Sequence, residues 1–123
     1  GFLIHEQIKG VELVVGMKRS REFGPVVMFG LGGIMVEVLK DVSFGIAPLS
    51  KSEIKKMIKE IKGYKLLEEF RGRSAVNLKE VVKIIEAVSK LSLENPQIKE
   101  IDFNPVIANE KKALVVDTSI LHE

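Results

Sequence analysis

The order in which two hydrophobic periods follow one another constrains this chain more than any single motif. Strand-like apolar runs occupy residues 2–8, 11–17, where they alternate with a period of two, and 26–29, and again near the C-terminus 98–103 and 113–116. Between these groups the period becomes helical. Ile54, Met57, Ile58 and Ile61 share one face in the first such segment, and Leu78, Val81, Val82, Ile85 and Val88 share one in the second. Side chains change face at every residue of a strand but return to the same face every three to four residues of a helix, so each period specifies its own element. Strands placed before and after two consecutive helices do not form the strand–helix–strand crossovers of a parallel sheet. They predict an α+β domain with both helices packed on one face of a mostly antiparallel sheet.

Turn residues divide these elements further. Lys9-Gly10 predicts a hairpin between residues 2–8 and 11–17, and residues 18–23 read as a polar interruption before Gly24-Pro25 opens a third strand. Gly30, Gly32 and Gly33 break that strand, residues 34–39 alternate again as a fourth, and residues 41–47 make a short fifth ending at Pro48. Ser50 or Ser52 can accept a free N–H at the start of the first helix, which stops at Gly63, and Asn77 can cap the second. Between the helices, Leu66-Leu67 is expected in the core and Arg71-Gly72-Arg73 in a polar loop. After Asn95-Pro96 the strand 98–103 continues into, or pairs with, residues 105–108. A turn at 109–112 then leads to a final strand ending at Asp117.

At 123 residues the chain has room for one core. Nineteen Lys and Arg against seventeen Asp and Glu, with both signs dispersed, leave no basic stripe for a nucleic acid. The absence of cysteine removes disulfides, thiolate nucleophiles and Cys-based metal sites. No apolar run approaches the ~18 residues of a membrane-spanning helix and no signal-peptide pattern opens the chain, so no membrane partner and a cytoplasmic location are expected. The start at Gly1, directly into an apolar run, reads as part of something longer.

Three constellations could carry chemistry. The glycines at 30, 32 and 33 lie between two strands with Glu37 beyond them, and successive N–H groups in such a turn can form an anion site, completed by cations such as Lys40, Arg71 and Arg73. Neither the Walker loop nor the dinucleotide fingerprint is present, and a hairpin without a ligand is the alternative. The second constellation is Glu100, Asp102 and Asn104, two residues apart on one strand, with Asp117 at the end of the next. Their oxygens can converge on one side and suit Mg²⁺; a solvated polar edge is the alternative. The third, Glu6 with Glu12 on the opening hairpin, could accept bonds from ribose hydroxyls or could simply be solvated. His5 and His122 have no Ser or Asp neighbour that would suggest a triad.

Taken in order, residues 10–50, then YKLLEEFRGR, EIDFNPVI and ALVVD, resemble the ATP-grasp domain of the β subunit of ADP-forming acetyl-CoA synthetases. Succinyl-CoA synthetase β subunits and other ATP-grasp ligases share a looser version. The resemblance implies that the chain is the C-terminal subdomain of an ATP-grasp domain, with the N-terminal subdomain upstream of Gly1. It implies Mg²⁺ and ATP or ADP as cofactors, with Asn104 and Asp117 as metal ligands and Asp102 beside them. Gly30, Gly32, Gly33 and Glu37 correspond to the segment lining the active site, with Arg71 as a cationic candidate, and Glu6 and Glu12 to the hinge and ribose contacts. The implied activity interconverts acyl-CoA, ADP and phosphate with acid, CoA and ATP. The implied partner is a CoA-binding α subunit or domain that carries a phosphohistidine, in a hetero-oligomer. Relatives often carry Asp where this chain has Ser20. A non-catalytic α+β interaction module is the competing reading from another class.

Overall fold

The computed structural model describes residues 9–32, 41–69, 72 and 74–122. The strands expected at 2–8 and 34–39 lie outside these residues, as do His5, Glu6, Gly33, Glu37, Lys40, Arg71 and Arg73. The described elements are β1 (Val11–Ser20), β2 (Gly24–Leu31), β3 (Val42–Ile46), α1 (Lys51–Glu60), a 3₁₀ segment (Lys62–Leu67), α2 (Leu78–Glu94), β4 (Ile98–Ala108), β5 (Ala113–Val115) and β6 (Thr118–His122). Among the described residues every strand pair is antiparallel, in the order β3-β2-β1-β4-β5, with β6 following β5 along the same edge of β4. Both helices pack against the β1–β3 region on one face. The α+β expectation therefore holds.

Two expectations at β1 need correction. Its neighbours are β2 and β4, which occupy both of its edges, so residues 11–17 do not have the hairpin partner expected for them. Nor does β1 stop at residue 17. Lys18, Arg19 and Ser20 stay in the ladder opposite Val26, Pro25 and Gly24. Polar side chains are tolerated there because each finds a partner or solvent. The Ser20 hydroxyl accepts the N–H groups of Glu22 and Phe23 at 3.1 and 3.2 Å, closing the turn. Arg19 reaches across to the carbonyls of Ile98, Ser92 and Asn95 at 2.9, 2.8 and 3.3 Å, and so binds the C-terminal end of α2 to the sheet.

Alternation along β1 sets the two faces. Leu13, Val15 and Met17 point into the core with Val27, Phe29 and Leu31 of β2, beneath Ile54 and Ile58 of α1 and Val81, Ile85 and Val88 of α2. Glu12, Val14, Gly16 and Lys18 take the face opposite α1 and α2. The first helix starts with the expected cap: the Ser50 hydroxyl accepts the Glu53 N–H while the Glu53 carboxylate accepts the Ser50 N–H, at 3.2 and 3.0 Å. Those bonds hold the Glu53 carboxyl below its ordinary value. Asn77 precedes α2 as expected, but its side chain turns to the Lys111 carbonyl instead of capping the helix. Of the expected core pair only Leu67 is buried, while Leu66 is exposed.

Candidate functional site

The site begins with a mismatch between β1 and β4. Leu13 pairs with Val106 and Val15 with Phe103, so the single residue Val14 faces both Asn104 and Pro105. Two residues against one is a β-bulge. Pro105 has no N–H to give to a ladder, and a bulge is where a sheet interior accepts such a residue. The extra residue lets Ile101 and Phe103 before it, and Val106 and Ala108 after it, all meet the core.

The opposite edge of β4 is interrupted at the same level. β5 pairs with residues 106–108 and β6 with residues 98–103, and Val116-Asp117 bridges between them. Val116 donates its N–H to the Pro105 carbonyl at 3.0 Å, and Asn104 donates to the Asp117 carbonyl at 3.2 Å. Asn104 and Asp117 thus sit opposite one another across adjacent strands. The side chains of a directly opposed pair project to the same face. One Asp117 carboxylate oxygen accepts the Thr118 N–H at 2.9 Å, and among the described residues no hydrogen bond engages the Asn104 side-chain amide.

Asp102 lies two residues before Asn104, opposite Gly16 of β1 and Ser119 of β6, on the face away from α1 and α2. Its carboxyl is pushed above the ordinary aspartate value, first by partial desolvation and then by the negative charges of Asp117 and Glu100. Glu100 itself pairs loosely with Lys18 at 3.7 Å. Of the four side chains expected to converge, Asn104 and Asp117 are opposed across adjacent strands, and the charges of Asp117 and Glu100 both act on Asp102. The donor set of two carboxylates and an amide oxygen suits a hard cation such as Mg²⁺. Among the described residues no three His, Cys, Asp or Glu side chains form a cage by themselves.

The glycine reading changes in detail. Gly30 is not in a turn but inside β2, paired with Val14 and Val42, and Gly32 gives its N–H to the Glu12 carbonyl at 2.8 Å. The Gly32 N–H is therefore not available to an anion nest. What Gly30 provides is close strand approach, since a Cβ there would come within 2.6 Å of the Asp41 carbonyl oxygen and of the Val42 side chain. Glu12 is exposed on the same face as Asp102. It lies four residues along β1 from Gly16, the partner of Asp102, or ~13 Å at ~3.3 Å per residue.

Two further features do not stand out in the sequence. Asp41 is buried, and its carboxylate accepts the Lys62 and Gly63 N–H groups at 2.6 and 2.7 Å. Its carbonyl accepts the Leu31 N–H at 3.3 Å, so Asp41 joins the end of β2 to the start of β3 and ties both to the 3₁₀ segment. Strand β6 was also missed, although the alternation of Thr118, Ile120 and His122 with Ser119 and Leu121 carries a strand signal. His122 lies there, exposed.

An ATP-grasp domain model matches residues 1–121. The chain belongs to the ATP-grasp family. It is 49% identical over 122 residues to the β subunit of acetate–CoA ligase (ADP-forming) I of Pyrococcus furiosus, covering 98% of this chain and 53% of that protein. A 4-hydroxybutyrate–CoA ligase (ADP-forming) of Nitrosopumilus maritimus is 46% identical over 112 residues, which are 90% of this chain and 16% of the relative. Among solved structures, an acetyl-coenzyme A synthetase of Ca. Korarchaeum cryptofilum in complex with coenzyme A and Mg-AMPPCP superposes with a TM-score of 0.92 at 46% identity. That match covers 95% of this chain and 55% of the synthetase chain. This ATP-grasp chain therefore spans about half of the β-subunit relative and about a sixth of the 4-hydroxybutyrate–CoA ligase. Among the described residues no helix is long and apolar enough to cross a membrane.

Proposed function

We propose that this chain is the C-terminal, nucleotide- and Mg²⁺-binding half of the ATP-grasp domain of an ADP-forming acyl-CoA synthetase. The reaction is the interconversion of acyl-CoA, ADP and phosphate with free acid, CoA and ATP. The observation that carries the reading is the facing of Asn104 and Asp117 across adjacent strands, beside an Asp102 whose carboxyl is raised by partial desolvation and then by the charges of Asp117 and Glu100. The near-half identity to the Pyrococcus β subunit supplies the reaction class. The relative that acts on 4-hydroxybutyrate is almost as similar, which supports assigning the choice of acid to other parts of the enzyme.

Phosphoryl transfer asks for positioning and for neutralisation of charge on the phosphate oxygens more than for covalent help. Asn104 and Asp117 would hold Mg²⁺, which supplies that neutralisation when bound. Asp102 orients the pair and tunes its charge. Glu12, on the same face and ~13 Å away along β1, accepts hydrogen bonds from the ribose hydroxyls, a separation that an extended nucleotide can bridge. Gly30 and Gly32 keep the strand beside it without side chains. Glu6, Gly33, Glu37 and Arg71 remain candidates for the rest of the nucleotide and phosphate contacts. The acyl and CoA chemistry belongs to a partner subunit or domain that carries a phosphohistidine, so the working assembly is a heteromer.

The test uses the full-length protein with its partner. Wild type is expected to form ATP from acetyl-CoA, ADP and phosphate. Asn104→Ala combined with Asp117→Ala is expected to lose phosphohistidine formation while retaining the wild-type unfolding temperature. A folded double variant of undiminished activity overturns the metal assignment, and a wild type inactive on every short acyl-CoA overturns the reaction class.

A further inference from the structure

The helix side of the domain, opposite Asp102, carries a second feature. Between α1 and α2 runs a groove of about 610 Å³, within the range of binding clefts. Its rim holds Lys51, Lys55 and Lys59 on α1, Lys79 and Lys83 on α2, and one acid, Glu86. Its floor is apolar, formed by Ile58, Val82, Leu78 and Tyr64.

The charge is concentrated there. The chain as a whole has a formal excess of only +2, so five lysines against one glutamate in a single groove leave the remainder of the chain net negative. Lys83 pairs with Glu80 at 3.0 Å, but among the described residues Lys51, Lys55, Lys59 and Lys79 have no carboxylate partner. Positions 51, 55 and 59, and likewise 79 and 83, are four apart on their helices, a spacing at which like charges disfavour the helix. Lys59 suits the C-terminal turn of α1 and Glu80 offsets Lys83, but the remaining like-charge spacing is unrelieved within the helices, and an anionic occupant would relieve it.

The form of the groove selects the occupant. Lys51 to Lys59 form a straight row ~12 Å long at ~1.5 Å rise per residue, facing a second row on α2. A compact phosphate is better held by convergent, forked donors, and the groove contains no arginine. Two separated rows of ammonium groups above an aliphatic floor instead match a segment whose carboxylates flank an apolar stripe. We propose that this groove docks an acidic, amphipathic helical segment of a partner polypeptide, with its apolar side on Ile58 and Val82 and its carboxylates on the two lysine rows. This docking is separate from the nucleotide site and does not depend on the reaction assigned above.

The experiment measures binding of a fluorescein-labelled synthetic peptide, with Glu and Leu in helical register, to the full-length protein by anisotropy. Saturable binding that weakens at least about tenfold in the combined variant Lys55→Glu, Lys59→Glu, Lys83→Glu, and falls with salt, is expected. The neutral variant Lys55→Gln, Lys59→Gln, Lys83→Gln should fall between, with thermal unfolding of both showing that the fold is kept. Lys111→Glu with Lys112→Glu, on the exposed β4–β5 turn, should leave binding unchanged. Failure of the peptide to bind overturns the proposal, as does equal loss in the turn variant or indifference to the groove variants. Displacement of the peptide by inorganic tripolyphosphate or polyadenylate at lower concentration than by unlabelled peptide also overturns it, in favour of a phosphate polyanion.

Discussion

Replacing Asp41 with alanine removes the acceptor from two backbone N–H groups at once. In the wild type the Asp41 carboxylate, 6% exposed, takes the Lys62 and Gly63 N–H groups at 2.6 and 2.7 Å. These are among the first donors of the 3₁₀ segment, which have no partner within the segment itself. A hydrogen bond to a charged group contributes ~1.5–3 kcal/mol, and Lys62 is exposed enough for water to replace part of what is lost, so the lower end applies. Two such bonds give a loss of about 3 kcal/mol for Asp41→Ala. For a domain of this size that is a fall in Tm of roughly 10–15 °C. Asp41→Asn keeps the shape and one acceptor oxygen, and about half the loss is expected. Urea unfolding followed by circular dichroism measures this directly, with the midpoint falling and the slope unchanged. A loss below ~1 kcal/mol for alanine would refute the assignment, because it would mean that water or a neighbouring side chain satisfies both donors without the carboxylate.

Three further outcomes follow from named contacts. The Asp102 carboxyl is raised in the folded protein, so its contribution to stability is present below the unfolded aspartate pKa and is lost as pH rises through the folded value; Asp102→Asn should therefore unfold at a higher temperature than wild type near neutral pH, and the advantage should vanish in acid. Arg19→Ala removes three carbonyl contacts that fasten the end of α2 to β4 and should cost about 2–3 kcal/mol by urea unfolding, with Arg19→Lys intermediate because an ammonium cannot span the same carbonyls. Ser50→Ala breaks the reciprocal cap of α1 and should cost about 1 kcal/mol, read in the same titration.

The parts of the fold that were legible are those where a period is long and its turns are marked. α2 carries Leu78, Val81, Val82, Ile85, Val88 and Leu91 on one face, and α1 has both ends signalled, by Ser50 and Gly63. β1 was cut short because Lys18, Arg19 and Ser20 look like a loop, while their strand state depends on acceptors at Ile98, Ser92 and Asn95, more than seventy residues away. Its partners were misjudged for a related reason: local alternation fixes a strand's faces but not which strand lies beside it. At the site, the two-residue spacing places Asp102 and Asn104 on one face with Asp117 opposite, whereas the bulge on the other edge of β4 depends on Val14, remote in sequence. Asp41 passed unnoticed because a lone aspartate after a lysine reads as surface, and its burial is created only when the 3₁₀ segment folds over it.

The bulge in β4 has a counterpart that gives it a wider meaning. Relative to β1, the strand carries one surplus residue at Asn104-Pro105, and the β5–β6 edge keeps in step by carrying Val116-Asp117 where the two short strands meet. Deleting Pro105 alone would only transfer the misfit from one edge of β4 to the other. Deleting Pro105 and Val116 together would close both ladders and return Val106 and Ala108 to the same core positions. The two surplus residues therefore offset one another: a length change on one edge of β4 is absorbed only by its complement on the other, so the seam beside Asn104 and Asp117 tolerates paired changes and resists single ones.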